Sequence, residues 1–90
     1  MYVHIGKNVI INSDYIVGIF NIETLKKKNF FENVCKNLEI NDKIIDISDD
    51  NQKSLIIIQK NEVTRGYITN ISSTTLGKRT NYGGFNNGKS

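Results

Sequence analysis

The chain has 90 residues, of which 38% are hydrophobic and 23% charged, and its formal net charge is +3 at pH 7. This length allows one domain with one modest core, and the composition is typical of a folded protein rather than a disordered one. Cys35 is the sole cysteine, which excludes an internal disulfide and favours a reducing compartment. The first residues lack a secretory signal, and the longest purely apolar run, Leu55–Ile58, is far shorter than the ~20 residues that cross a membrane. We therefore expect a cytoplasmic protein.

Charge is distributed unevenly along the chain. No acidic residue follows Glu62, whereas four bases do, namely Arg65, Lys78, Arg79 and Lys89. The first 62 residues hold the other eight of the twelve bases against all nine acids. This asymmetry indicates a basic end that faces an anionic partner, although a solvated basic tail gives the same pattern.

The first part of the chain predicts three short strands. Tyr2–Ile5 and Val9–Ile11 are apolar and rich in β-branched residues, and turn residues separate them. After a second turn at Asn12–Asp14, the segment Tyr15–Ile22 predicts a longer strand. Gly18 within it indicates a bulge or a close backbone contact.

The hydrophobic period then changes to that of a helix. Apolar residues recur at the i, i+3, i+4 and i+7 positions of one helix face, and they are Phe31, Val34, Cys35 and Leu38. Thr24 is the predicted N-cap of this amphipathic helix, and Asn41-Asp42 are its predicted end. Three lysines, Lys26–Lys28, are typical of a solvated helix end, and contact with a phosphate backbone is the alternative.

Alternation with period two returns after the helix. Ile44–Ile47 predicts a strand, and 48–52 is a polar loop. Lys53–Gln59 (KSLIIIQ) predicts the most hydrophobic strand, which belongs at the centre of the sheet. Glu62–Ile71 alternates again, and a turn at Lys60-Asn61 makes the connection so short that the two strands should form an antiparallel hairpin.

A hydroxyl-rich segment, Ser72–Thr75, precedes the last predicted element. It predicts an N-cap followed by a short helix at Leu76–Arg79. A helix N-terminus with spare hydroxyls and two bases, Lys78 and Arg79, is a candidate anion site, although an ordinary capped helix with a basic last turn has the same sequence. Residues 1–81 are thus expected to form a single α+β domain: a small, mainly antiparallel β-sheet, one amphipathic helix packed on it and a short C-terminal helix.

The remaining residues, 82–90, are rich in Gly and Asn and predict a flexible tail. The stretch from Gly83 to Ser90 matches the phosphate-binding pattern G-x-x-x-x-G-K-[ST]. A working P-loop needs a strand before the first glycine and a helix from the lysine onward, and the sequence predicts neither. We therefore interpret the match as accidental.

Other patterns that carry chemistry fail on spacing. His4 and Cys35 are the sole residues of their types, so they cannot complete a zinc site by themselves. Nothing near either residue indicates an activated nucleophile, and Cys35 is expected to be a small core residue. The segment from Asp46 imitates a calcium loop, but Ile57 stands where a bidentate Glu is needed. We expect no catalytic residue, no metal, no cofactor and hence no enzyme.

Several segments together resemble a known family. The stretches MYVHIG, DYIVGIFNIE, KS before LIII and ISSTTLGKR resemble, in order and spacing, the RemB type of the bacterial extracellular-matrix regulator family RemA/RemB. The resemblance covers Met1 to about Asn81. It implies a cytoplasmic, non-enzymatic regulator of biofilm-matrix gene expression. The related RemA type is a DNA-binding transcriptional activator that assembles into rings, in which repeated arginines bind DNA.

The DNA-binding arginines of the RemA type are not carried over to this chain. One of them lies in the turn before the third strand, near Asp14 here, and a pair lies in the loop before the hydrophobic strand, near Asn51-Gln52 here. Asp49 and Asp50 of that loop would repel phosphate. If the protein binds DNA, the candidate nucleic-acid-binding residues are therefore the bases of the C-terminal third, Arg65, Lys78 and Arg79, together with Lys53, the one base of that loop.

Two functions are consistent with these patterns. The first is regulation of matrix genes through double-stranded DNA, by a homo-oligomer such as a ring, with a RemA-type protein as a further partner. The second is a structural or protein-interaction module that oligomerises or binds a partner regulator without contacting nucleic acid, which the acidic loop favours. The exposed edges of so small a sheet favour self-association in both cases. No membrane partner is expected.

Overall fold

The computed structural model describes residues 1–27, 30–37 and 43–80. Within these ranges the strands are β1 (Tyr2–Gly6), β2 (Val9–Asn12), β3 (Ile16–Asn21), β4 (Ile44–Asp46), β5 (Ser54–Lys60) and β6 (Val63–Thr69). The helices are α1 (Ile22–Lys27), α2 (Phe30–Asn37) and α3 (Ser73–Thr80). The predicted α+β class is confirmed, and the predicted strand ends lie within two residues of the observed ones. Leu38, the helix end at Asn41-Asp42 and the tail 82–90 lie outside the described residues.

β1 and β2 form an antiparallel hairpin that is a separate two-stranded sheet. β1 ends at Gly6, whose φ of +131° is a conformation that residues with a side chain rarely adopt. A Cβ at Gly6 would lie 2.7 Å from Oγ1 of Thr69 in β6. The Thr69 hydroxyl donates to the carbonyl of Ile5 at 2.6 Å. The hairpin therefore meets the main sheet at this point.

The main sheet has the strand order β3-β5-β6-β4. β5 pairs antiparallel with both β3 and β6, which confirms the predicted central strand and the predicted hairpin. β4 pairs in parallel with β6 at one edge. A register shift between Ile16 and Gly18 is the bulge predicted in β3.

The turn between β5 and β6 is Asn61-Glu62, one residue later than predicted. Both residues have positive φ angles, 54° and 68°. Two-residue hairpins favour such a turn, because its twist matches that of the strands that it joins. The shift changes the register of the hairpin, which places Ser54 opposite Thr69.

Two helices stand where the sequence predicts one. Oδ1 of Asn21 accepts a hydrogen bond from the backbone N–H of Thr24 at 3.2 Å, so Asn21 is the N-cap of α1. The prediction of Thr24 as the N-cap is wrong, because Thr24 lies inside α1. The apolar Ile22 extends the strand pattern by one residue, and this conceals the helix start. In α2, Val34 is half-buried and Cys35 is buried, as expected, and burial raises the pKa of the Cys35 thiol.

Both faces of the main sheet are covered, whereas the sequence predicts a helix on one face only. Ile56 and Ile58 of β5 belong to a core cluster with residues of β1, β2 and α3. Leu55 and Ile57 belong to a second cluster with residues of α1 and α2. Because β5 is buried on both faces, all residues from Ser54 to Ile58 are inaccessible. This explains why its sequence is a continuous apolar run rather than an alternating one.

Candidate nucleic-acid interface

Two of the predicted DNA-binding residues lie in the last turn of α3. Oγ of Ser72 accepts a hydrogen bond from the backbone N–H of Thr75 at 3.2 Å, so the N-cap lies in the predicted hydroxyl-rich segment, but α3 begins at Ser73, three residues earlier than predicted. Leu76 is fully buried and fixes the helix on the core. Lys78 and Arg79 are both exposed. The helix therefore presents two bases to solvent from a backbone that is held at its start and middle.

The two bases differ in their contacts. Nη1 of Arg79 donates to the carbonyl oxygen of His4 in β1 at 3.0 Å. A guanidinium carries five N–H donors, so further donors remain for a phosphate. Lys78 forms neither a hydrogen bond nor an ion pair with another described residue. Arg79 is thus oriented by its bond to β1, whereas no contact with a described residue orients Lys78.

The other two predicted residues lie at opposite ends of the β5–β6 hairpin. Lys53 directly precedes β5, and its backbone N–H donates to the carbonyl of Thr69 at 2.9 Å. Arg65 pairs with Ile58 near the turn. Ile58 lies five residues after Lys53, which corresponds to about 17 Å of extended chain. The structure therefore does not gather the four predicted residues into one cluster, although all four are exposed.

The loop at 48–52 has its own hydrogen-bond network. Oδ1 of Asp46 accepts from the hydroxyl of Ser48 at 2.6 Å and from its backbone N–H at 2.9 Å. Oδ2 of Asp46 accepts from Nε2 of Gln52 at 3.0 Å. These bonds, above all the one from the Ser48 hydroxyl, lower the pKa of the Asp46 carboxyl. The carboxylate thus stays ionised and organises the loop.

The same loop presents acidic side chains to solvent. Asp49 and Asp50 are exposed, and Asp49 forms an ion pair with Lys7 at 3.1 Å. Asp14, near the other arginine position of the RemA type, is also exposed, in the 3-10 turn before β3. The structure therefore places carboxylates at both positions, so a phosphate backbone would be repelled there.

A cavity of about 500 Å³ lies beside this loop, between the start of α1 and the start of α3. Its polar lining residues are Asn21, Glu23, Lys26, Asn51, Gln52, Lys53, Ser72 and Ser73. No local sequence pattern indicates this cavity. The feature that would have predicted it is the register of the β5–β6 hairpin. Pairing of Ser54 with Thr69 brings Lys53 beside the residues that follow β6.

The described residues contain no group of three or more His, Cys, Asp or Glu side chains that could hold a metal ion. No helix in the same ranges is long and apolar enough to span a membrane. The fold and the surface define a small α+β protein with separate exposed bases on a core of two apolar clusters.

Comparison with models of known protein families shows which family this chain belongs to. The model of the RemA-like family, described as "Extracellular matrix regulatory protein A-like", matches residues 2–80. Because the match covers most of the chain, this protein belongs to the RemA-like family. The family predicted from the sequence is confirmed, and the RemB type stays a prediction. A search of curated proteins found no match.

Proposed function

We propose that this protein is a non-enzymatic, cytoplasmic regulator of biofilm-matrix gene expression, of the RemB type, that binds double-stranded DNA as a homo-oligomer. The observation that carries the proposal is the match of residues 2–80 to a family described as extracellular matrix regulatory. The distribution of charge supports DNA as the target, since no acid follows Glu62.

The exposed bases of α3 are the proposed centre of the DNA contact. The sole ion pair within the described ranges is that of Lys7 with Asp49, so Lys78 and Arg79 keep their charges for a partner. Phosphate contacts from such side chains supply most of the sequence-independent affinity for DNA. Lys53 and Arg65 would add further contacts at the two ends of the hairpin.

Self-assembly would compensate for the small number of bases in one subunit. A few phosphate contacts bind weakly, but repeated contacts on one rigid surface add through effective concentration. β3 and β4 form the two edges of the main sheet, and edge strands are where a sheet can be extended by another chain. Repetition around an oligomer, together with a RemA-type partner, is therefore part of the proposal.

A mobility-shift titration of the full chain with a DNA duplex over a series of salt concentrations tests this function. The logarithm of the association constant should fall with the logarithm of the salt concentration, with a slope of about 0.9 per phosphate contact. Lys78→Gln together with Arg79→Gln should weaken binding and flatten this slope. Lys36→Gln together with Lys43→Gln is the matched control, because it removes the same charge from exposed sites outside α3.

The control variant should bind like the unmodified protein. Absence of salt-dependent binding would contradict the proposal, and so would an equal loss in both double variants, because that would indicate attraction by net charge alone. Thermal unfolding of each variant, followed by circular dichroism, shows whether the fold is retained.

A protein-interaction module without contact with nucleic acid is the second candidate function. The observation that favours it is the exposure of Asp49 and Asp50 in the loop where the RemA type carries a pair of arginines. In that case the protein should self-associate or bind a partner regulator in light scattering, while the mobility-shift titration detects no complex.

A further inference from the structure

We propose that the cavity between α1, α3 and the loop before β5 binds a small phosphorylated molecule, whose phosphate lies at the N-terminus of α3 between Lys53 and Lys26. This site goes beyond the proposed DNA binding, which is centred on the opposite end of α3. The two proposals share Lys53, and the experiment below separates them.

The first observation is a hydroxyl without a partner. Ser73, the first residue of α3, is only 8% exposed and lines the cavity. Its hydroxyl forms no hydrogen bond with another described residue. No fully enclosed polar side-chain atom in the described ranges lacks a partner, so the Ser73 hydroxyl reaches open space. Because Ser73 lines the cavity, an oxygen of a ligand bound there can accept a hydrogen bond from this hydroxyl in place of water.

The second observation is the set of backbone donors beside this hydroxyl. The first N–H groups of a helix have no acceptor within the helix. Oγ of Ser72 accepts from the backbone N–H of Thr75. No described group accepts from the backbone N–H of Ser73 or of Thr74. The helix dipole adds partial positive charge at the same end. Backbone N–H groups and dipole together favour an anion such as phosphate.

Two lysines, Lys26 and Lys53, line the same cavity. Lys53 has no ion-pair partner among the described residues. Nζ of Lys26 donates to Oε1 of Gln52 at 2.9 Å, and because this acceptor is neutral, the charge of Lys26 is not cancelled. The link to Gln52, which also donates to Asp46, orients the Lys26 side chain over the loop. Lysines in this position can bind phosphate as point charges.

Glu23 limits which groups the ligand can carry besides its phosphate. Glu23 lines the cavity, and its negative charge disfavours a ligand that is anionic throughout. A carboxylate accepts hydrogen bonds from hydroxyl or amino groups. The volume of about 500 Å³ also exceeds that of a lone phosphate and is in the range of small-molecule sites. The lining therefore fits a phosphate monoester with hydroxyl groups, such as a nucleoside monophosphate.

An NMR titration of the full, ¹⁵N-labelled chain at constant ionic strength tests this site. The probes are inorganic phosphate and adenosine 5′-monophosphate. We expect saturable shifts of the Ser73 and Thr74 amide signals with both probes, and tighter binding of the monophosphate because it also reaches Glu23. Lys53→Gln should weaken binding about tenfold, because it removes a hydrogen bond between two charged groups. Ser73→Ala should weaken binding about threefold, because it removes one hydrogen bond from a neutral hydroxyl.

Lys60→Gln is the matched control for Lys53→Gln. Both substitutions remove one positive charge at an end of β5, but Lys60 lies at the far end, about 23 Å away along the strand. At physiological salt this distance exceeds the screening length of about 8 Å, so the control should change the affinity less than about twofold. The Ser73→Ala change removes only one oxygen atom. The same spectra will show whether each variant keeps the fold.

Three outcomes would overturn the proposal. The first is the absence of saturable shifts at these amides with either probe at millimolar concentration. The second is an equal loss of affinity in Lys53→Gln and Lys60→Gln, which would indicate diffuse attraction by net charge. The third is a shift of these amides with duplex DNA alone, which would assign the site to the nucleic-acid backbone. Failure of DNA binding in the mobility-shift titration would leave the phosphate site standing.

Discussion

Gly6 ends β1 with a positive φ, and the space that a Cβ would need there is occupied by the hydroxyl of Thr69. This hydroxyl donates to the carbonyl of Ile5 at 2.6 Å and accepts from the backbone N–H of Ile71 at 3.2 Å. Thr69 is fully buried. A single side chain thus joins the end of β1 to the end of β6, and it depends on a glycine at position 6.

Replacement of Gly6 tests the importance of this contact. Gly6→Ala should lower the free energy of unfolding by about 1–3 kcal/mol through backbone strain, and displacement of the Thr69 hydroxyl adds to the loss. Urea unfolding followed by circular dichroism measures the change. Gly18→Ala is the control, because Gly18 does not need a positive φ and the three nearest atoms to its Cβ, the closest at 2.9 Å, would all belong to the side chain of half-buried Phe20. Equal losses in the two variants would contradict the assigned role of Gly6.

For the candidate site residues, the sequence predicts the positions of those that lie within one continuous element. Lys78 and Arg79 follow from the pattern of one capped helix and lie in its last turn as predicted, with the cap at Ser72 of the predicted hydroxyl-rich segment. The environment of Ser73 does not follow from local pattern, because Lys26 reaches the same cavity from a distant part of the chain. The cavity is a product of strand register, and a one-residue error in the turn conceals it.

At the scale of elements, the β5–β6 turn carries a conformational conflict. Asn61 and Glu62 both adopt the left-handed conformation. Asn tolerates this conformation because its side chain can hydrogen-bond locally, but Glu does not. The position occupied by Glu62 is the one where two-residue hairpin turns favour glycine. The hairpin therefore forms in spite of this residue, because β5 and β6 are fixed by the core.

Glu62→Gly should raise the free energy of unfolding by about 1 kcal/mol, because it removes the left-handed strain and because the greater freedom of Gly in the unfolded chain offsets only part of the gain. Thermal unfolding is the measurement. Glu62→Ala is the control, since it removes the same charge but keeps a Cβ. If both variants are stabilised equally, charge rather than backbone conformation is the cause.

The strands are predictable because their period of two and their turn residues are local features. The number of layers is not predictable in this way. The sequence shows that β5 is apolar on both sides, but it does not show which elements cover each side. The helix start is missed for a related reason. Asn21 ends β3 and also caps α1, and the apolar Ile22 that follows fits either element.

At the scale of the whole molecule, the main sheet ends in two edge strands. Ile45 in β4 is 43% exposed, and it belongs to neither core cluster. An apolar side chain on an edge strand favours pairing with another chain, which would protect the edge. The proposed homo-oligomer is consistent with an interface that includes β4.

Ile45→Lys should convert the proposed oligomer into monomers, because a lysine on an edge strand opposes edge-to-edge pairing. Native mass spectrometry or light scattering at micromolar concentration measures the state. Val63→Lys is the control, since Val63 is also an exposed apolar residue but lies on an inner strand. A protein that is monomeric before any substitution would contradict self-assembly, and dissociation by both variants would contradict the role of β4.

The position of β5 between two apolar clusters has a consequence for how the domain unfolds. Neighbouring residues of this strand, Ile56 and Ile57, belong to different clusters, so neither cluster can open without pulling away the backbone that supports the other. The two halves of the core are thereby energetically linked through one strand. We expect them to melt together in a single cooperative transition, as small single domains usually do.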